Sequence, residues 1–191
     1  MSSLAAGASR SNALRSQSHS GSRLTAAVLS TFGGAMSAGD VVGIIAVFFS
    51  GLLAGEELVI RLAVRGPLAS LDDRPHIQMR QALIRTMRVL VPAMFAAAFL
   101  SAVSWTALAR LGSGYLVRGA GVVVLLVWLG LTVGGTVPIN AAAIEWDPSD
   151  PPRDWRAQIG RWERLNSIRM SAAVVAFALL LTGFVQAAAL R

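Results

Sequence analysis

Residues Val89–Ala109 read VLVPAMFAAAFLSAVSWTALA, a run without a single charged side chain. A helix rises about 1.5 Å per residue, so about 20 apolar residues cross the hydrocarbon layer of a bilayer. In hydrocarbon, backbone N–H and C=O groups must be bonded within the segment, which makes this run a helix. Three more apolar runs of span length are present: Val41 to Ile60, which carries Glu56 and Glu57 close to its end, and the uncharged Gly119–Ile139 and Met170–Leu190. The expected fold is therefore all-α and integral to the membrane, a four-transmembrane-helix bundle formed by residues 39–191.

Composition agrees. The 191 residues are 54% hydrophobic and 14% charged, with mean hydropathy +0.60, whereas a soluble domain carries about a quarter charged residues. The net charge of +7 comes wholly from arginine, for there is no lysine. The arginines cluster beside the apolar runs, which points to anionic lipid headgroups as partners. No nucleic-acid-binding motif accompanies them, and nucleic acid is not an expected partner. The absence of cysteine excludes disulfides, iron–sulfur clusters and redox thiol pairs. Only His19 and His76 are available as imidazoles, so neither a bis-histidine haem nor a multi-histidine metal centre is expected within one chain. The sequence assigns no cofactor.

Residues 1–38 read as a disordered or weakly apolar tail, whose stretch 24–38 also has the look of a signal-peptide core. The connections between spans are unequal. A short turn, 110–118, joins the second and third, while 61–88 and 145–169 are long and rich in arginine. Both long connections have helical patterning, giving amphipathic helical extensions at one membrane face. In the first, Asp72 and Asp73 precede Pro75 as a helix start, and Met79, Leu83 and Met87 recur on one side. In the second, Ser149 or Asp150 is the expected N-cap before Pro151. Trp155, Ile159, Trp162, Asn166 and Arg169 then follow at steps of four and three, one stripe that runs into the last span.

Several groups stand out chemically. Glu56 and Glu57 end the first span, where an unpaired carboxylate costs on the order of 3 kcal/mol at mid-bilayer. Arg61 lies at i+4 from Glu57, the spacing of a helix ion pair. Arg169 enters the last span and needs a counter-charge, for which Glu57 is also the candidate. His76 titrates nearest neutrality and has Arg80 at i+4, a spacing suited to phosphate. In Thr136–Asn140 (TVPIN), Pro138 loosens the helix, and Asn140 is either an amide facing a cleft or a simple cap. Gly51–Gly55 and Gly130–Gly134 are GxxxG steps, which serve helix packing or homo-oligomer contacts equally well.

The stretches GLLAGEELVIR (51–61), PLASLDDRPHIQMRQALIR (67–85), TVPINAAAIEWDP (136–148) and PPRDWRAQIGRWERLNSIR (151–169) resemble the anthrone-oxygenase-like family of four-helix membrane proteins. The likeness covers roughly residues 41–190. It implies oxidation of anthrones to anthraquinones and carries over Asn140, Trp155, Trp162, Asn166 and Arg169 as the matching second-half pattern. The Glu56–Glu57 pair is read as a feature of one branch.

Two functional classes fit. One is an oxygenase that acts on a lipophilic aromatic, with Glu57 or His76 as base and Arg169 as a catalytic donor. Asn140 and Asn166 would add donors, Trp155 and Trp162 an aromatic wall, and Glu56 a further substrate contact. The other is a non-catalytic membrane assembly or lipid-binding protein. A proton-coupled transporter is the weaker third.

Counting arginines near the spans places both long loops in the cytoplasm and both termini outside the cell membrane. A cysteine introduced by Ser149→Cys should then react with a membrane-impermeant maleimide only after cells are opened; labelling of intact cells reverses the orientation.

Overall fold

The computed structural model describes residues 37–108 and 114–189. The expected tail, including His19, lies outside them but for its last two positions. Four helices make up the described chain: α1, Ala38–Ala69; α2, Asp73–Leu108; α3, Tyr115–Ile144; α4, Trp155–Ala188. They hold 32, 36, 30 and 34 residues. A span needs only about 20, so each helix continues well beyond the hydrocarbon. The connections 70–72 and 145–154 turn the chain at the same end of the bundle. The projecting end of α1, start of α2, end of α3 and start of α4 therefore gather at one face.

Helix α1 packs against α2 and α4, and α3 packs against the same two. The outer surface of the bundle is apolar, and several charged groups are enclosed within it. Leu62, Val89, Leu100 and Leu116 stand exposed, while Glu57, Arg80, Arg118 and Arg169 are buried. Hydrocarbon as the surrounding solvent explains both halves of that pattern. One core fills the bundle, centred on Leu53, Phe95, Trp105, Leu125, Trp128 and Leu180. A second core, built from Ile77, Ile84, Ala143, Trp146, Trp155 and Ile159, holds the projecting ends together.

Close helix approach uses glycines other than most of those read as GxxxG steps. A Cβ at Gly183 would lie 2.6 Å from Arg118 Cγ, and one at Gly121 would lie 3.0 Å from Leu180. Of the two expected steps, only Gly51 meets a neighbouring helix, through Phe177; Gly55, Gly130 and Gly134 face open space. Those three do not pack helices among the described residues.

Two helices each contain one π-helical turn, Ile60–Val64 in α1 and Thr132–Thr136 in α3. In each, a backbone N–H reaches back five residues, Arg65 to Ile60 and Val137 to Thr132. The extra residue rotates the remainder of the helix and re-aims its side chains, an insertion common at functional sites. Pro138 sits just beyond the second turn and has no N–H to offer the preceding turn. The helix nevertheless runs on to Ile144, so Asn140 is an interior helical residue and caps nothing.

The end of α3 is closed by a side chain from elsewhere. Gln81 Nε2 donates to the carbonyls of Ala143, Ile144 and Trp146 at 3.0, 3.1 and 2.9 Å, satisfying acceptors that a helix C-terminus leaves open. Two local readings change. Helix α4 starts at Trp155 after Asp154, not at Pro151. Ser149, read as a cap, instead donates its backbone N–H and hydroxyl to Asp147, at 2.8 and 2.6 Å. Those two bonds hold the Asp147 carboxyl below the usual carboxylate range. On α2 the inward side is Ile77, Arg80, Gln81 and Ile84, while Met79 is exposed. Of the expected stripe, Leu83 and Met87 are half-buried, and Met87 packs against the main core.

Candidate functional site

A cavity of about 520 Å³ opens between the four helices where the two cores meet. Its deep end is aromatic: Phe95 and Trp128 stack with centroids 4.9 Å apart and planes 13° from parallel. Its outer end carries Arg80 and Trp162, with the guanidinium 4.5 Å above the indole ring. The helix stripe predicted for α4 produces this wall directly, because Trp162, Asn166 and Arg169 lie one helical turn apart and all line the cavity.

The cavity is braced by a buried ion pair. Arg169 Nη2 donates to Glu57 Oε1, and the two side chains retain 8% and 1% of their surface. Trp128 Nε1 donates to the same oxygen at 3.0 Å. Arg169 Nη1 donates to Thr136 Oγ1 at 2.8 Å, and its guanidinium lies 4.6 Å from the Trp128 ring centre. One carboxylate of α1, one guanidinium of α4 and two side chains of α3 thus form a single network. Thr136 belongs to it because the π turn of α3 ends there. Arg61, the alternative partner at i+4, lines the cavity instead.

The two adjacent glutamates have different surroundings. Glu57 is enclosed by its partners and is absent from the cavity wall, whereas Glu56 is part of that wall. Consecutive helical residues point about 100° apart, which is enough to separate them. Glu56 Oε2 is buried without a hydrogen-bond partner, and so are Asn140 Oδ1, Trp162 Nε1, Arg80 Nε and Arg169 Nε. All five residues line the cavity. Buried polar atoms are ordinarily bonded, so five orphans around one space mark it as a place for a polar guest.

Asn140, Trp162, Asn166, Arg169 and Glu56 are therefore brought together. Two expected residues lie elsewhere. His76 is buried in edge contact with Trp155, at 5.3 Å, and Trp155 belongs to the outer core with Trp146. Neither lines the cavity. Three contributors escaped the sequence reading as site residues, Phe95, Trp128 and Thr136, while Arg80 entered it only as the i+4 neighbour of His76. Trp128 carried a usable signal, since an indole in the middle of an uncharged run is far from the interfacial belt and must bond its N–H within the bundle.

Removing one member of a buried pair strands the other charge and costs about 3–5 kcal/mol, whereas replacing both is far less harmful. Glu57→Ala should accordingly lower stability by about 3 kcal/mol or more in denaturant titrations in detergent, and Glu57→Leu combined with Arg169→Met should recover most of it. Additive losses would show that the pairing itself is not what stabilises the bundle.

No curated protein and no solved structure matches the chain. The family model described as anthrone oxygenase matches residues 79–179, a segment that contains Arg80, Trp128, Thr136, Asn140, Trp162, Asn166 and Arg169 and leaves Glu56, Glu57 and His76 outside it. That segment is more than half of the 191 residues, and with the four span-length helices already described it establishes that this membrane protein belongs to the anthrone oxygenase family.

Proposed function

We propose that the protein is an oxygenase that converts a lipophilic, anthrone-like aromatic to its quinone inside the cavity at one face of the bundle. Family membership supports the reaction class. The observation that carries the reading is the set of orphaned polar atoms around an otherwise apolar space. The orphans are of two kinds. Trp162 Nε1–H, Arg80 Nε–H and Arg169 Nε–H require acceptors, while Glu56 and Asn140 Oδ1 require donors. A planar aromatic with a ring carbonyl and phenolic hydroxyls supplies both, and its faces suit the Phe95–Trp128 stack.

Glu56 is the base in this reading, because it is the glutamate that meets the cavity. It takes a proton from the methylene carbon opposite the ring carbonyl. The negative charge spreads onto the carbonyl oxygen, where Arg169 and Asn166 supply donors that grow stronger as the charge develops. The carbanionic carbon then bonds to dioxygen. The resulting hydroperoxide loses its remaining carbon-bound proton as the O–O bond breaks, leaving a second ring carbonyl. Anthrone and dioxygen go in, and quinone and water come out, with no external reductant. Glu57 acts at one remove, by fixing Arg169 and Trp128.

A lipid-binding role without catalysis is the second reading, favoured by the five arginines that line the cavity. Turnover separates the two. Purified protein should convert anthrone to anthraquinone with one dioxygen consumed per product. Glu56→Gln should lower kcat by about a hundredfold or more, the usual contribution of a positioned base. A Glu56→Gln variant as active as the parent removes Glu56 from the mechanism.

A further inference from the structure

Arg80 is an anomaly among the buried charges. Only 6% of its surface is exposed. Arg169 has Glu57 and Arg65 has Glu163, the latter at 2.6 Å. No ion pair joins Arg80 to a carboxylate among the described residues. Glu163, the carboxylate whose charge reaches it, is already bonded to Arg65. The Trp162 ring beneath the guanidinium offers partial compensation, but Arg80 Nε and Trp162 Nε1 both remain without acceptors. Around the cavity, five arginines face Glu56, Glu163 and, behind Arg169, Glu57. A buried cation left unmatched is unfavourable unless something neutralises it.

We propose that Arg80 and Trp162 form a seat for an anionic oxygen group, a carboxylate or phosphate, carried by an apolar ligand whose remainder lies along the cavity toward Phe95 and Trp128. A guanidinium edge matches a carboxylate or phosphate with paired donors, and the indole N–H adds a third donor in the same place. Arg80 and Phe95 lie on one helix about 22 Å apart along its axis at 1.5 Å per residue. The charged group therefore binds toward the outer end of the cavity, with the apolar remainder directed at the aromatic floor. The inference rests on the reading of this cavity as a ligand site and names the ligand class as acidic. It does not require that the ligand be oxidised.

The test compares anthracene-2-carboxylate with its neutral carboxamide, following quenching of tryptophan emission in phosphatidylcholine nanodiscs and subtracting partition into empty discs. The parent protein should bind the acid about tenfold or more tightly than the amide, a modest return for a desolvated charge pair. Arg80→Gln should abolish that preference, bringing the affinity for the acid down to that for the amide. It should not weaken the fold, since it removes an unmatched buried charge. Arg80→Lys, which keeps the charge and loses the planar edge, should fall between them. Phosphatidylglycerol in the discs identifies the source of the anion. If it displaces the acid from the parent protein, the seat takes a lipid phosphate; if it does not, the seat takes a small-molecule acid. Equal affinity for acid and amide in the parent, or a preference that survives Arg80→Gln, overturns the proposal. An Arg80-dependent preference without anthrone turnover would retain this seat and remove the oxygenase reading; turnover without the preference would do the reverse.

Discussion

The Glu57–Arg169 pair is the interaction on which the rest of the structure turns. It joins α1 to α4, and through Trp128 and Thr136 it reaches α3 across the bundle. Both charges are nearly sealed from solvent. Such a pair gives little net stability over well-packed apolar residues, but it tolerates few alternative arrangements, because any slip of one helix leaves a charge unpaired in a low dielectric. Its consequence here is geometric. It sets the rotation of α1 about its axis, which turns Glu56 toward the cavity, and it holds the Trp128 ring that stacks on Phe95.

The membrane-embedded part and the projecting part of the bundle are organised differently. In the spans, apolar side chains face outward and small residues permit close packing at a few points, such as Gly121 beneath Leu180. At the projecting face, specific polar contacts take over. Gln81 closes the end of α3, Arg65 meets Glu163, and a tryptophan-rich core binds α2 to α4. The cavity lies at the boundary between the two regimes. Both π-helical turns lie at the same level: Thr136 ends one, and the other begins three residues after Glu57. A ligand with an apolar body and a polar end suits that boundary for the same physical reason that an interfacial tryptophan does.

Much of this was legible in the sequence. Long apolar runs such as Val89–Ala109 give the four spans, because hydrocarbon leaves the backbone no other solution. The steps of four and three from Trp155 to Arg169 give the inward face of α4. The need of Arg169 for a counter-charge leads to Glu57. Other features depend on rotations that a sequence does not display. Neighbouring Glu56 and Glu57 carry the same side chain, and only the placement of α1 shows that Glu56 is the one that lines the cavity. Arg80 entered only as the i+4 neighbour of His76, because the apolar stripe of α2 is Met79, Leu83 and Met87, of which the last two line the cavity beside it. Asn140 read equally well as a cap because the π turn that carries α3 past Pro138 leaves no compositional trace. His76 drew attention as a lone imidazole, yet it packs on Trp155 away from the cavity.

The central claim is that a fixed ion pair frames a polar-lined cavity for a lipophilic guest. An X-ray structure of the protein grown in a lipidic phase with an anthracene-based ligand tests it most directly. The account predicts ligand density between Trp128 and Arg80, beside Glu56, with Glu57 and Arg169 in contact. A cavity filled by side chains, or Glu57 and Arg169 apart and each turned toward headgroups, would contradict it.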